Sequence, residues 1–125
     1  MTHPVVHFEI GGRDTERLEH FYADLFGWKV SPETSWGRDL DPGDTPDGTV
    51  VRTPPHVTIY VRVASIVAAL DRVAELGGTC VTPPTYHRGV GTYAHVRDPE
   101  GNLVGLLRPD EPTPAEQPRA TVAES

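Results

Sequence analysis

His7 and His95 stand in short alternating runs that can hold an imidazole beside a second polar group. In Val5-Val6-His7-Phe8-Glu9-Ile10, a strand's period of two puts His7 and Glu9 on one face and Phe8 and Ile10 on the other. In Tyr93-Ala94-His95-Val96 the same period pairs Tyr93 with His95. An imidazole with an ordinary pKa of about 6.5 gives or takes a proton near neutral pH, so His7 and His95 are the candidate acid/base residues. Each also has a plain structural reading, a hydrogen-bonded core histidine for His7 and a partly exposed sheet histidine for His95. Trp36, flanked by Ser35 and Gly37 where a large aromatic has little structural use, joins Tyr60 and Tyr93 as a candidate lining for a flat apolar ligand. Trp28 follows a helix stop and reads as packing. No phosphate-cradling glycine loop, Ser/His/Asp nucleophile setting or zinc motif is present in the sequence.

Composition narrows the classes further. The 125 residues carry a net charge of −7, which argues against nucleic acid, since phosphate binding needs a basic face. Asp110, Glu111, Glu116 and Glu124 against Arg119 place −3 of that beyond residue 109 and leave −4 in the body. No long apolar run suits a membrane span, and Met1-Thr2-His3-Pro4 lacks the pattern of a secretory signal, so a soluble cytoplasmic protein is expected. The one cysteine, Cys80, has no partner for an internal disulfide and reads as a buried strand thiol.

These side chains must be positioned by short elements. Val5–Ile10 reads as a strand; Asp14 caps a helix carrying Leu18, Phe21, Tyr22 and Leu25, and Gly27 stops it. Val57–Val63 reads as a strand; Ser65 caps a helix carrying Ile66, Ala69, Leu70, Val73 and Leu76, with Gly77-Gly78 as the stop. Cap, stripe, stop and following strand agree at one sequence offset, Asp14 with Ser65 and Gly27 with Gly78, which marks an internal duplication. Further short strands follow each helix, at 27–31, 35–40 and 49–53, then at 79–82, 92–97 and 103–107. Tyr86–Gly91 reads as a mobile connection, an ordinary loop in the first place and a lid over the cavity in the alternative. A domain over residues 1–109 is expected, with modules at about 4–53 and 57–109, and residues 110–125 as a disordered tail.

Three stretches carry a family resemblance: His7-Phe8-Glu9-Ile10 leading into Phe21-Tyr22-Ala23-Asp24-Leu25-Phe26-Gly27-Trp28; Tyr60–Val63 followed by Glu75-Leu76-Gly77-Gly78; and Asp98-Pro99-Glu100-Gly101-Asn102. In order and spacing the chain resembles the vicinal-oxygen-chelate superfamily, which includes glyoxalases and bleomycin-resistance proteins. The resemblance implies an α+β fold, two βαβββ modules forming a curled, mostly antiparallel sheet around a cavity. It also implies a small-molecule ligand and a homodimer. Many members hold a divalent metal with a His or Glu on the first strand of each module and a carboxylate on each last strand.

Carried onto this chain, those positions fall on His7, Thr58, Gly105 and, counted from Gly48, Arg52. One imidazole beside a hydroxyl, a glycine and a guanidinium is not a metal set, so no metal and no cofactor is expected. A displaced site from His7, His56 or His95 with Glu9 is the alternative. Thr58, Tyr60, Arg52 and Gly105 join Trp36 and Tyr93 as candidate ligand-binding residues, Arg52 either ion-paired in the sheet or meeting an anionic group. Three functions follow in order: a metal-independent binder of an aromatic or apolar small molecule; a metal-independent enzyme using His7 or His95; and a metal-dependent lyase or dioxygenase.

Overall fold

The computed structural model describes residues 2–34, 37–44 and 46–110. Module one runs β1 (Val5–Gly12), α1 (Thr15–Phe26), β2 (Lys29–Val30), β3 (Arg38–Asp41) and β4 (Asp47–Arg52). Module two runs β5 (His56–Arg62), α2 (Ile66–Glu75), β6 (Thr79–His87), β7 (Gly91–Arg97) and β8 (Leu103–Pro109). The eight strands form one curled, unclosed sheet in the order β2-β3-β4-β1-β5-β8-β7-β6. The order mirrors itself about the β1–β5 junction, as two copies of one unit must when joined by their first strands. β1 pairs antiparallel with β5, and each first strand pairs in parallel with the last strand of its own module.

Local chemistry sets the helix ends. Asp14 accepts a hydrogen bond from the Arg17 amide at 3.1 Å, and Ser65 accepts one from Ala68 at 3.1 Å, so each cap satisfies an otherwise open donor. Gly27 closes α1 at φ 74°. In module two the left-handed residue is Gly77, one position earlier than the offset places it. Gly78 is held by proximity instead: a side chain there would meet the Arg97 carbonyl and Val73.

Each helix covers its own module. Leu18 and Tyr22 of α1, with Phe8, Trp28 and Val30, pack on Ile10, Leu40 and Val50. Ile66 of α2, backed by Ala69, Leu70 and Val73, packs on Val63, Ala94, Val96 and Leu106. The last hairpin has the register that symmetry about Glu100 requires, Val96 opposite Val104 and Ala94 opposite Leu106. Its turn is held by Asp98, whose carboxylate accepts from the Glu100 and Asn102 amides.

Several expectations are corrected. Phe21 and Leu25 are exposed, and the α1 face turned inward carries Glu19 instead, 6% exposed and paired with Arg38 at 3.4 Å. Val57 and Ile59 lie across from Ile10 and Phe8, yet they are 69% and 43% exposed, because α1 covers the β1 side of the seam and neither helix packs closely over β5. β6 does not stop at Thr82 but continues through Pro83 and Pro84 to His87, and Tyr86–Gly91 is a strand end and tight turn, closed by Val90 N–H donating to the His87 carbonyl. Two prolines fit there because β6 is an edge strand with one side free of ladder bonds. The same edge position leaves Cys80 exposed, not buried. Among the described residues no helix is long and apolar enough to cross a membrane.

Candidate ligand cavity

The concave face encloses a cavity of about 340 Å³. Alternation on β1 turns His7 and Glu9 into it, β4 contributes Thr49, β5 Tyr60, β7 Tyr93 and His95, and β8 Leu107. The end of β6 and its turn close one side with His87 and Val90. A second chamber of about 460 Å³ adjoins it, sharing His7 and Val90 and adding Ser31, Asp39, Asp41 and Asp47.

Aromatic rings form one wall. His7 meets Tyr60 edge-on with centroids 5.7 Å apart, Tyr60 meets His95 at 5.5 Å, and His95 meets Tyr93 at 5.6 Å. Tyr60 pairs with Gly105 in the β5–β8 ladder, and its ring occupies the space a Gly105 side chain would need. The absence of a β-carbon is therefore what lets Tyr60 lie flat into the site.

A chain of polar contacts crosses the floor. The Tyr60 hydroxyl is 2.7 Å from His95 Nε2 and 3.4 Å from Glu9 Oε2. Glu9 Oε1 lies 2.9 Å from His56 Nε2, while His56 Nδ1 lies 3.0 Å from the Pro54 carbonyl. At the other end, His7 Nε2 meets Thr49 Oγ1 at 3.1 Å. Burial lowers the His7 pKa against the pull of Glu9, Asp39 and Asp47, and burial lowers that of His95 against Glu9. For His56, burial is outweighed by its two acceptors, the Pro54 carbonyl and Glu9, and its pKa rises. Burial, reinforced by the Glu9 charge, raises the Tyr60 pKa and keeps the phenol protonated. His7 and His95 thus favour the neutral form near pH 7, each able to donate one hydrogen bond and accept another.

His7, Tyr60, Tyr93 and His95 come together around this cavity. Thr58, 2% exposed, lies on the same face of β5 as Tyr60 and across the ladder from Glu9; its hydroxyl has no hydrogen-bond partner among the described residues. Arg52 is elsewhere, exposed at the end of β4 with its guanidinium donating to the Arg13 carbonyl at 2.8 Å. Trp36 lies outside the described residues. Thr49 was not anticipated. The ladder pairs Glu9 with Thr49 and Tyr60 with Gly105, so the partner of Gly105 across the module symmetry is Thr49, and counting from Gly48 overshoots to Arg52. His87 and Val90 were assigned to a loop, and only the full length of β6 brings them to the cavity.

Residues 5–106 match the Glyoxalase/Bleomycin resistance protein/Dioxygenase superfamily. The chain belongs to this superfamily. Among solved structures similar to this superfamily member is methylmalonyl-CoA epimerase from Mycobacterium tuberculosis, at 17% identity and a TM-score of 0.65, covering 86% of this chain and 88% of that one. A Mn(II)-bound glyoxalase from Novosphingobium aromaticivorans matches at 17% identity and 0.65, over 83% of this chain and 37% of that one. Homoprotocatechuate 2,3-dioxygenase from Brevibacterium fuscum, solved with 3,4-dihydroxyphenylacetate, matches at 22% identity and 0.66, over 84% and 36%. These likenesses establish the fold. No curated protein sequence matches the chain.

The divalent metal that the superfamily implies can be tested against the donors present. With Thr49 in place of Arg52, the four positions hold one imidazole, two neutral hydroxyls and a glycine covered by the Tyr60 ring. That set supplies one strong donor where a hard or borderline cation needs several, with carboxylates among them. The displaced alternative fares no better: among the described residues no three His, Cys, Asp or Glu side chains converge as metal ligands. The residues do not fit the metal.

Proposed function

We propose that this superfamily member binds an aromatic or otherwise apolar small molecule in the sheet cavity without a metal. The observation that carries the reading is the Tyr60 ring over Gly105, which puts an aromatic wall where a carboxylate ligand would have to stand. Leu107 and Val90 extend the apolar lining, and Tyr93 offers a hydroxyl with no hydrogen-bond partner among the described residues to orient a bound group. A thermal-shift panel of planar aromatic compounds, run in chelator, tests it. Stabilisation by a subset, lost in Tyr93→Ala, supports the reading; a panel without any stabilising compound removes it.

A second reading is favoured by the short Tyr60–His95 contact. A neutral His95 bonded to a protonated phenol, itself beside the Glu9–His56 pair, is an arrangement for moving a proton to or from a bound substrate. The distinguishing result is a substrate-dependent rate that collapses in His95→Ala while binding survives. We also propose a homodimer, supported by the exposed apolar pair Val57 and Ile59 on the convex side of the seam.

A further inference from the structure

We infer that His56, outside the cavity lining, is a positioning residue that decides which nitrogen of His95 carries the proton. By pairing with Glu9 it leaves the Tyr60 hydroxyl to His95 Nε2, so that His95 holds its hydrogen on Nδ1 as a donor to a bound molecule. This rests on the reading that gives His95 the site's handling of protons, and it adds which way round the ring stands and what sets it. Four side chains in a row carry the argument: His56, Glu9, Tyr60 and His95.

The proton order runs inward from His56, which faces acceptors only. Its Nε2 lies 2.9 Å from Glu9 Oε1 and its Nδ1 3.0 Å from the Pro54 carbonyl. The Thr53 hydroxyl, 3.1 Å from Nδ1, donates to that same carbonyl. A neutral ring would leave one nitrogen bare against an acceptor, so the imidazolium is the form that satisfies both, and the raised pKa agrees with it. Glu9 is therefore an ion-paired carboxylate with one oxygen engaged. Its other oxygen competes with His95 for the single Tyr60 proton. The Tyr60 oxygen is 3.4 Å from Glu9 Oε2 and 2.7 Å from His95 Nε2; the first exceeds the usual reach of an O–H···O bond and the second is short. The hydroxyl accordingly donates to His95. Burial favours the neutral ring there, and a neutral imidazole that accepts at Nε2 carries its hydrogen on Nδ1. That nitrogen has no hydrogen-bond partner among the described residues, and the ring lines the cavity.

The His56 charge keeps the competition one-sided. An unpaired carboxylate is a stronger acceptor for a phenol than a neutral imidazole is. With Glu9 uncompensated, Tyr60 turns its proton to Glu9, its oxygen becomes the acceptor, and His95 answers with Nε2–H and a bare Nδ1. The cavity wall then offers a base where it now offers a donor. The same opposition acts through space, where Glu9 favours a charged His95 and His56 disfavours it.

The test is nitrogen-15 NMR of the histidine rings on the full chain, without added ligand and near pH 7, where two-bond couplings identify the protonated nitrogen of each neutral ring. His95 is expected as the Nδ1–H tautomer. His56→Gln removes the charge while keeping a donor to Glu9, and should move His95 from mostly Nδ1–H to mostly Nε2–H. His56→Lys restores a cation beside Glu9 and should return it to Nδ1–H, a rescue that a merely structural role for His56 does not produce. An Nε2–H ring in the parent protein overturns the inference outright, whether or not the variants fold. A ring that stays Nδ1–H in folded His56→Gln overturns the role of His56. Either failure leaves the acid/base reading to its own test, the substrate-dependent rate of His95→Ala.

Discussion

Three histidines of this chain are set in opposite directions by their surroundings, and the sign of each has a consequence for pH. Burial lowers the pKa of His7 and His95 below the free value of about 6.5, so the unfolded chain binds more protons than the native one just below that pH. Their contribution to stability is therefore present above about pH 6.5 and is lost as pH falls toward their folded pKa values. His56 behaves inversely: its raised pKa stabilises the fold below about pH 6.5 and that gain is lost as pH rises through the folded value. An NMR titration of the ring signals should place His7 and His95 below, and His56 above, the free value. His56→Gln should remove the alkaline-side decline in the urea midpoint and leave the acid-side decline in place. A His95 that titrates above the free value would contradict the buried, neutral imidazole described here. At the same scale, Gly105→Ala puts a methyl group into the Tyr60 ring. It should weaken aromatic ligands about tenfold or more, because displacing Tyr60 also breaks its contact with His95; unchanged binding would mean the ring is not part of the site.

Caps and turns were the most legible elements, because their chemistry is local. Asp14, Ser65 and the Asp98–Asn102 turn each announce themselves by residue type and spacing, and each is satisfied by its own neighbours within a few residues. Asp14→Ala and Ser65→Ala should therefore cost similar amounts, about 1 kcal/mol each, read from chemical denaturation; a large asymmetry would mean the two modules do not bear load alike. What depends on a distant partner was not legible. Pro83-Pro84 reads as the end of a strand unless β6 is known to lie at the sheet edge, and with that the roles of His87 and Val90 disappear. The parallel register of β4 on β1 is likewise fixed across the intervening helix and strands, not by a turn. That is why a count from Gly48 found Arg52 and passed over Thr49. His7, Tyr60, Tyr93 and His95 escaped this difficulty because strand alternation alone fixes their face.

For the whole molecule the duplication is the governing fact. Neither module closes its sheet alone, and the antiparallel β1–β5 seam makes the cavity a joint product of both, with Glu9 from one bonded to Tyr60 and His56 from the other. Unfolding is accordingly expected as one cooperative transition, with ring fluorescence and far-UV circular dichroism coincident. The seam's convex side, bare at Val57 and Ile59, should be covered by a second copy. Light scattering is expected to give a dimer that Val57→Glu with Ile59→Glu dissociates, and a monomeric parent protein would refute that assembly. The central claim, an organic-ligand cavity in a metal-family scaffold, meets its most direct test in metal content. Purified protein incubated with Mn, Fe, Ni or Zn, desalted and submitted to elemental analysis should retain far less than one equivalent of any of them, and His7→Ala should retain no less. One tightly held equivalent that disappears in His7→Ala would contradict the account.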